Sequence, residues 1–513
     1  MSVDVSEPQA RPDSYREILH STALIGASTL VSMVFSLIRM KGLALLLGPV
    51  GVGLLALFNA IADVVVAVAG LGVNQSGVRQ IAQAMGDGDH GRIAGTMAVL
   101  ARTSLALGLG GGLGLAVLAI PASMLTFGST QYSVAVAALG VLVLLRILTG
   151  GQTALLQGAR RVGDLAYLNI IAALAALVIT LPLVYLWREI AVVPALILVA
   201  LATWLVARWF VGKVAVNHPA APATVVRQDV EALLRLGMAF MVSGVLTMGA
   251  AYAVRILVLH ETGVDAAGLY QSAWAVSGLY AGVVLQAMGT DFYPRLTAAV
   301  ADNALINRLV NEQTEVSLLL AGPGVLATMA LAHLALLSFY SQEFVAAAEL
   351  LRWLSLGMML RVVSWPMGFI IVAKGWQKAF IAIEIGATAL HVGLAALLLS
   401  YFGISATGMA FTGLYACHGV VVYLIARRRC GFRFSPENRT FLLLFGIATL
   451  LVFLSFFVFS FWWATGASLL ATSVTGIGSL IALSRLAADP IDKLRARLRP
   501  IGKWLGLRLG TGS

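Results

Sequence analysis

The stretch VLVLLRILTG, residues 141–150, closes a run of 43 residues (103–145) without Asp, Glu, Lys or Arg, and sets Arg146 immediately after it. Two further runs of this kind cover residues 385–426 and 440–484, 42 and 45 residues long. One crossing of a bilayer's hydrocarbon core takes about 20 apolar residues as a helix. Each run therefore holds two crossings joined by a short turn, and the turns are expected at 121–132, 401–403 and 462–466. The composition agrees, with 60% hydrophobic and 11% charged residues, where soluble domains carry about 25% charged. The short alternating segments of an outer-membrane barrel are absent. The expected fold is an all-α polytopic membrane protein.

Working outward from this stretch, the apolar segments predict about 14 transmembrane helices. They fall near 18–40, 50–72, 93–120, 132–155, 165–187, 191–211, 232–258, 267–290, 311–339, 350–373, 379–401, 404–426, 440–462 and 466–485. An even number returns the chain to the side on which it started. With the N-terminus inside, 26 of the 34 lysines and arginines fall on the cytoplasmic side, which predicts a multi-pass protein of the cytoplasmic (inner) membrane with both termini cytoplasmic. The same distribution accounts for the net charge of +11 through orientation and contact with anionic membrane lipids, so no nucleic-acid partner is expected. Residues 1–17 lack the features of a cleaved signal and read as a cytoplasmic segment. In the basic tail, 487–513, Ile491, Leu494, Leu498 and Ile501 share one helical face, as in a helix lying on the inner leaflet; a disordered basic tail is the alternative. The two cysteines and seven histidines show no disulfide framework and no metal-ligand spacing. No cofactor is expected.

The chain also repeats itself. GPVGVGLLALFN, from Gly48, and GVDAAGLYQSAW, from Gly263, stand 215 residues apart. The same step carries Gly53-Leu54 onto Gly268-Leu269 and LLRILTG onto MLRVVSW, so that Arg146 falls on Arg361. A constant step predicts a duplication: an N-lobe of helices 1–6 (18–213), a cytoplasmic linker (214–230), a C-lobe of helices 7–12 (231–430) and a C-terminal helix pair (431–486). Six helices per lobe preserve orientation, giving two lobes in parallel repeat around a central cavity.

A charged side chain at mid-bilayer costs about 2.5–3.5 kcal/mol on insertion scales, so Arg146 and Arg361 call for a reason. Either they line a cavity and bind an anion, or they are tied to backbone carbonyls or reach to an interface. Arg39 and Arg255 form a second, nearly symmetric pair closer to the helix ends. A guanidinium fork suits a phosphate because two N–H groups engage two oxygens at once. Asp63 and Glu384 are the acids deepest in helices, placed either for ion coupling or for pairing with an arginine. Tyr270, Trp274 and Ser277 share a helix face, where the two rings serve as sugar contacts or as part of the interfacial aromatic belt. The cluster GLGGGLG (108–114) lacks the third glycine of a dinucleotide loop. Its pairs Gly108/Gly112 and Gly110/Gly114 predict close helix packing. With no P-loop and no nucleophile–base constellation, the chain does not read as an enzyme.

Residues 41–54, with the phrase K-x-x-A-x-x-x-G-P-x-G-x-G-L, and the G-x-x-x-x-x-x-R segment at 72–79 resemble the O-antigen translocases. These are bacterial polysaccharide repeat-unit flippases of the multidrug/oligosaccharidyl-lipid/polysaccharide exporter superfamily. The likeness extends as pattern through GFRFSPEN at 431–438. It implies two six-helix lobes around a cationic cavity and a substrate that is an undecaprenyl-diphosphate-linked glycan. That substrate would pass from the inner to the outer leaflet by alternating access, with coupling to an ion gradient. It also implies an association with the polysaccharide polymerase machinery. By position, the diphosphate role extends to Arg146, Arg361, Arg39 and Arg255. The last two helices depart from the commonest twelve-helix form. A multidrug or cation antiporter on the same scaffold, a flippase of the lipid II type and a non-transporting membrane scaffold stay open as alternatives.

Overall fold

The computed structural model describes residues 12–86, 90–214 and 223–504, and among these every regular element is a helix. Among the described residues, ten helical stretches are long and apolar enough to cross a membrane, or eleven when the bent pair 303–330 and 332–339 counts as one. Two of them, Ala27–Ala69 and Val162–Gly212, have 43 and 51 residues. At about 20 residues per crossing, each is long enough to cross twice. The outward surface of the spans carries large apolar side chains such as Leu113, Val117, Val178 and Leu186, an exposure that lipid tolerates and water does not. This is a multi-pass membrane protein.

Helix α1 (Pro12–Ala69) is two helices joined at Gly48, whose φ of 62° and ψ of −167° interrupt the spiral. Pro49 begins the second half, where its missing N–H costs nothing. The first half therefore runs to the Gly48 break and does not stop near residue 40. The sharp turn after α8 (Ala223–Thr262) has the same origin, since Gly263 also has positive φ. Between α1 and the next span lies α2 (Val73–Gly86), a short amphipathic helix without a predicted counterpart. Val73, Ile81 and Ala84 turn inward on it, and Val73 and Ile81 join a cluster that includes Val99, Leu100 and Ala154.

The chain separates into two compact units, residues 1–271 with 337–345, and 272–336 with 346–513. In the first, α3 (His90–Val117) crosses α5 (Ser133–Gly158) at Gly112 and Gly140. A methyl on either glycine would stand 3.1–3.2 Å from the other's carbonyl carbon. The Gly108/Gly112 face thus packs, whereas Gly110 and Gly114 face open space. The residues expected as a turn at 121–132 include most of a short helix, α4 (Ala119–Phe127). The rings of Phe58, Phe127 and Tyr132 close over that end of the core. Helices α6 (Val162–Trp187) and α7 (Val192–Gly212) complete the unit with α8 and the opening of α9 (Val264–Ala298). The expected linker lies partly outside the described residues, and its positions 223–230 are already helical.

The second unit is built on α10 (Asn303–Ala330), α12 (Ala348–Ala373), α13 (Gln377–Phe402) and α14 (Ser405–Cys430). The short α11 (Ala332–Phe339) leaves α10 at an 81° bend. Helices α15 (Pro436–Val458) and α16 (Phe461–Trp504) pack on α10. The turn between them is at Phe459-Ser460, earlier than the expected 462–466. Gly322 admits the Phe445 ring, and an asparagine clasp fastens the start of α15. Asn438 Nδ2 donates to the Asn311 carbonyl at 2.8 Å, Asn311 Nδ2 to the Arg433 carbonyl at 2.9 Å, and the Ser435 N–H to Asn311 Oδ1 at 2.8 Å. The backbone of α16 continues through the basic tail to Trp504, so the tail's first part is helical; residues 505–513 lie outside the described residues.

Candidate functional site

Arg146 sits in the middle of α5, and the second half of α1 supplies its partners. Asn59 and Asp63, one turn apart on one face, meet the two ends of the guanidinium. Nη1 donates to Asp63 Oδ1 at 2.6 Å, and Nη2 donates to Asn59 Oδ1 at 2.5 Å. Two of the five N–H donors are used. The Arg146 and Asp63 side chains are 27% and 47% exposed, so the pair opens onto accessible space and is not sealed in the core. The carboxylate balances the guanidinium, which removes much of the cost of a lone charge in a membrane span. Two expected roles, an anion-binding arginine and a deep acid, thus come together in one ion pair.

Arg255 and Tyr270 also come together. The guanidinium donates from Nε and Nη2 to Gln271 Oε1 at 3.3 and 3.0 Å and from Nη1 to the Ala251 carbonyl at 2.9 Å. Its central carbon lies 6.0 Å from the Tyr270 ring centre. Tyr270 is only 2% exposed, so its ring packs inside the unit. Arg39, its counterpart in the sequence, stands elsewhere. It lines an apolar cleft with Leu43, Leu47, Thr180, Val184 and Leu196. Nearby, Lys41 donates to the Leu337 carbonyl at 2.7 Å.

In the second unit, Arg361 on α12 has no carboxylate in contact among the described residues. Its guanidinium carbon lies 5.7 Å from the ring centre of Tyr415 on α14. The Tyr415 ring stands between that guanidinium and the His418 ring, 5.8 Å from the latter, and Glu384 is half-buried on α13. Trp274 packs edge-on against Phe411 with ring centres 5.2 Å apart.

The phrase at residues 41–54 has a structural meaning within the first unit. Lys41 holds the 337–345 segment, Gly48 makes the break, Pro49 starts the next helix, and Gly53 lets α9 approach. A methyl on Gly53 would overlap the Val264 carbonyl and stand 3.0 Å from the Gly268 nitrogen. One on Gly268 would overlap the Pro49 carbonyl and stand 3.1 Å from the Gly53 nitrogen. The step that exchanges Pro49 with Val264 and Gly53 with Gly268 is the 215-residue step of the sequence. The crossing is therefore reciprocal, as at a local two-fold axis.

The family model described as polysaccharide biosynthesis protein matches residues 18–300. The chain belongs to this family. As a polysaccharide biosynthesis protein it is 24% identical over 420 residues to the lipid III flippase of Escherichia coli K12, covering 79% of this chain and 97% of that relative. Its fold is that of the multidrug/oligosaccharidyl-lipid/polysaccharide exporter superfamily. The lipid II flippase MurJ in an inward-closed conformation superposes with a TM-score of 0.68 at 14% identity, over 90% of this chain and 100% of that one. An inward-facing multidrug resistance transporter of the MATE family gives 0.64 at 16% identity, over 80% of this chain and 96% of that one.

Four residues at these sites of the polysaccharide biosynthesis protein, Asn59, Gln271, Tyr415 and His418, are not singled out by its sequence pattern. The i, i+4 spacing of Asn59 and Asp63 was a usable signal, since it sets both on one helix face. Gln271 follows Tyr270 directly, and nothing in the spacing marked it. Tyr415 and His418 lie inside a run defined by having no formal charge, which concealed them.

Proposed function

We propose that the protein moves undecaprenyl-diphosphate-linked oligosaccharide repeat units, precursors of O-antigen or exopolysaccharide, from the inner to the outer leaflet by alternating access. The observation that carries this reading is the accessible guanidinium of Arg146, held in mid-helix by Asp63 and Asn59 with three N–H donors left over. A diphosphate diester carries two negative charges and can take those donors while Asp63 and Asn59 keep the guanidinium oriented. Arg361, at the equivalent place in the repeat and without a carboxylate in contact among the described residues, serves as the second anchor. Arg255 and Arg39 are further candidates for the anionic path, and Trp274 for sugar contact. Family membership and the name of the lipid III flippase relative support a glycan carried on a lipid. Both termini lie in the cytoplasm in this reading, and the polymerase that consumes the flipped unit is a natural neighbour in the membrane.

The test is loss of surface polysaccharide in cells carrying Arg146→Ala or Arg361→Ala at native protein levels, with the lipid-linked glycan accumulating on the inner leaflet. Normal export by both variants refutes the assignment. The MATE-like fold and the exposed Asp63 carboxylate favour one competing reading, a cation antiporter. It predicts sensitivity to cationic dyes on deletion and loss of resistance in Asp63→Asn.

A further inference from the structure

Helices α12, α13 and α14 pack side by side, and one of their titratable groups has no role so far. His418 lies one turn beyond Tyr415 on α14, with ring centres 5.8 Å apart, and the same Tyr415 ring stands 5.7 Å from the Arg361 guanidinium carbon. A methyl on Gly419 would lie 3.6 Å from Ser364 Cβ, so this part of α14 rests on the turn of α12 that carries Arg361. His418 Nδ1 is buried with no hydrogen-bond partner among the described residues. A ring nitrogen in that state is uncommon in a settled interior and marks a group with capacity to spare.

We propose that His418 is a proton-binding site coupled to the anion held at Arg361: the anion's arrival draws a proton onto the imidazole, and its departure releases it. This inference rests on the reading of Arg361 as a diphosphate anchor. Arg361 is always charged, so in the empty site a second positive charge on His418 is opposed by repulsion. A diphosphate diester brings two negative charges, which reverses the local sign from +1 to −1. Proton and anion then favour one another, and by linkage each strengthens the other's binding by the same factor.

The other groups on the packed elements do not fill the role. On α14, the Tyr415 ring is already engaged by the Arg361 guanidinium carbon at 5.7 Å, and the Cys417 thiol is exposed. On α13, His391 is buried against Phe411, with ring centres 6.1 Å apart, one turn before Tyr415. The other arginine of α12, Arg352, is turned to the Phe456 ring on α15. Glu384 on α13 is the competitor that the experiment must separate.

The test is calorimetry on the full-length protein in lipid nanodiscs. The probe is farnesyl diphosphate esterified on its second phosphate by N-acetylglucosamine, a diester that does not titrate near neutral pH. Buffers of different ionisation enthalpy report the protons taken up on binding. The wild type is expected to take up about half a proton or more per probe at pH 7, and its affinity to strengthen about threefold per pH unit of acidification. His418→Gln abolishes both effects while the probe still binds; Glu384→Gln and His391→Gln retain them. Binding without proton uptake, uptake that survives His418→Gln, or uptake lost in Glu384→Gln overturns the proposal. No binding at all, or binding indifferent to Arg361→Ala, overturns the anchor reading and this inference with it. If His418→Gln does not fold, the wild-type buffer series and the Glu384→Gln variant decide the matter.

Discussion

Replacing Gly268 by alanine probes whether the crossing with Gly53 parts during transport. The added methyl would overlap the Pro49 carbonyl oxygen and lie 2.7 Å from its carbonyl carbon, where ordinary contact begins at 3.4 Å. Neither partner can swing aside, because both are backbone, so the two helices must separate by about 0.7 Å or more. Overpacking of this kind costs about 1–3 kcal/mol, and only while the crossing is closed. At about 1.4 kcal/mol per factor of ten, the ratio of closed to open molecules falls roughly 5- to 150-fold. The assay uses Ala267→Cys, a position 1% exposed in this structure, in a background with Cys417 and Cys430 changed to serine. The reaction rate of that cysteine with a membrane-impermeant maleimide is expected to rise by the same factor in Gly268→Ala. Gly53→Ala acts in the same direction. A lowered melting temperature with an unchanged maleimide rate would refute the reasoning and leave the crossing as fixed packing.

Asn311→Ala removes the hub of the clasp on α15 and strands the Arg433 carbonyl and the Ser435 N–H, while Asn438 keeps its bond to the residue-311 backbone carbonyl, costing about 1–3 kcal/mol per group left unpaired; thermal unfolding in detergent should show it as a clear drop in melting temperature. Arg352 stacks 3.7 Å from the Phe456 ring centre with its Nε buried and unpartnered, so Arg352→Met keeps the packing and should be neutral or stabilising, whereas Arg352→Ala should lower the melting temperature. Asp63→Asn keeps an acceptor for Arg146 and removes the balancing charge. The probe described above should therefore bind it at least as tightly as the wild type, while Asp63→Ala, which also frees the guanidinium to move, should bind it more weakly, both read by calorimetry.

Much of the architecture was legible because lipid imposes a simple rule: long stretches without charge become helices, as at 385–426 and 440–484. Glycine and proline marked the break at residues 48–49. The rule says nothing of a helix that stays polar on one side, and α2, with Asn74, Gln75, Arg79 and Gln80 along 14 residues, escaped it. It also runs through short bends, so α4 falls within an expected turn and α11 within a longer expected span. At the site, the residues that needed a partner could be named, but not the partner. Arg146 and Asp63 are 83 positions apart, and only packing shows that the two charges serve one another. Tyr270 illustrates the converse. Its helical spacing with Trp274 fixed a shared face, yet what covers that face is decided by the neighbouring helices, and there the ring is buried beside Arg255.

The clasp around Asn311 and Asn438 has a mechanical consequence. Fastened to α10 at one end and pressed against it by Phe445 along its length, the last helix pair must travel with its host bundle as a stiff arm. At about 1.5 Å per residue, the 23 residues of α15 carry any tilt of that bundle to a tip marked by Trp462 and Trp463, both largely exposed. An angular change too small to resolve at the fulcrum becomes a displacement of several ångströms at those indoles. The two tryptophans are natural gauges of rocking, readable by fluorescence quenching without any added label once the chain's other eight tryptophans are replaced by phenylalanine.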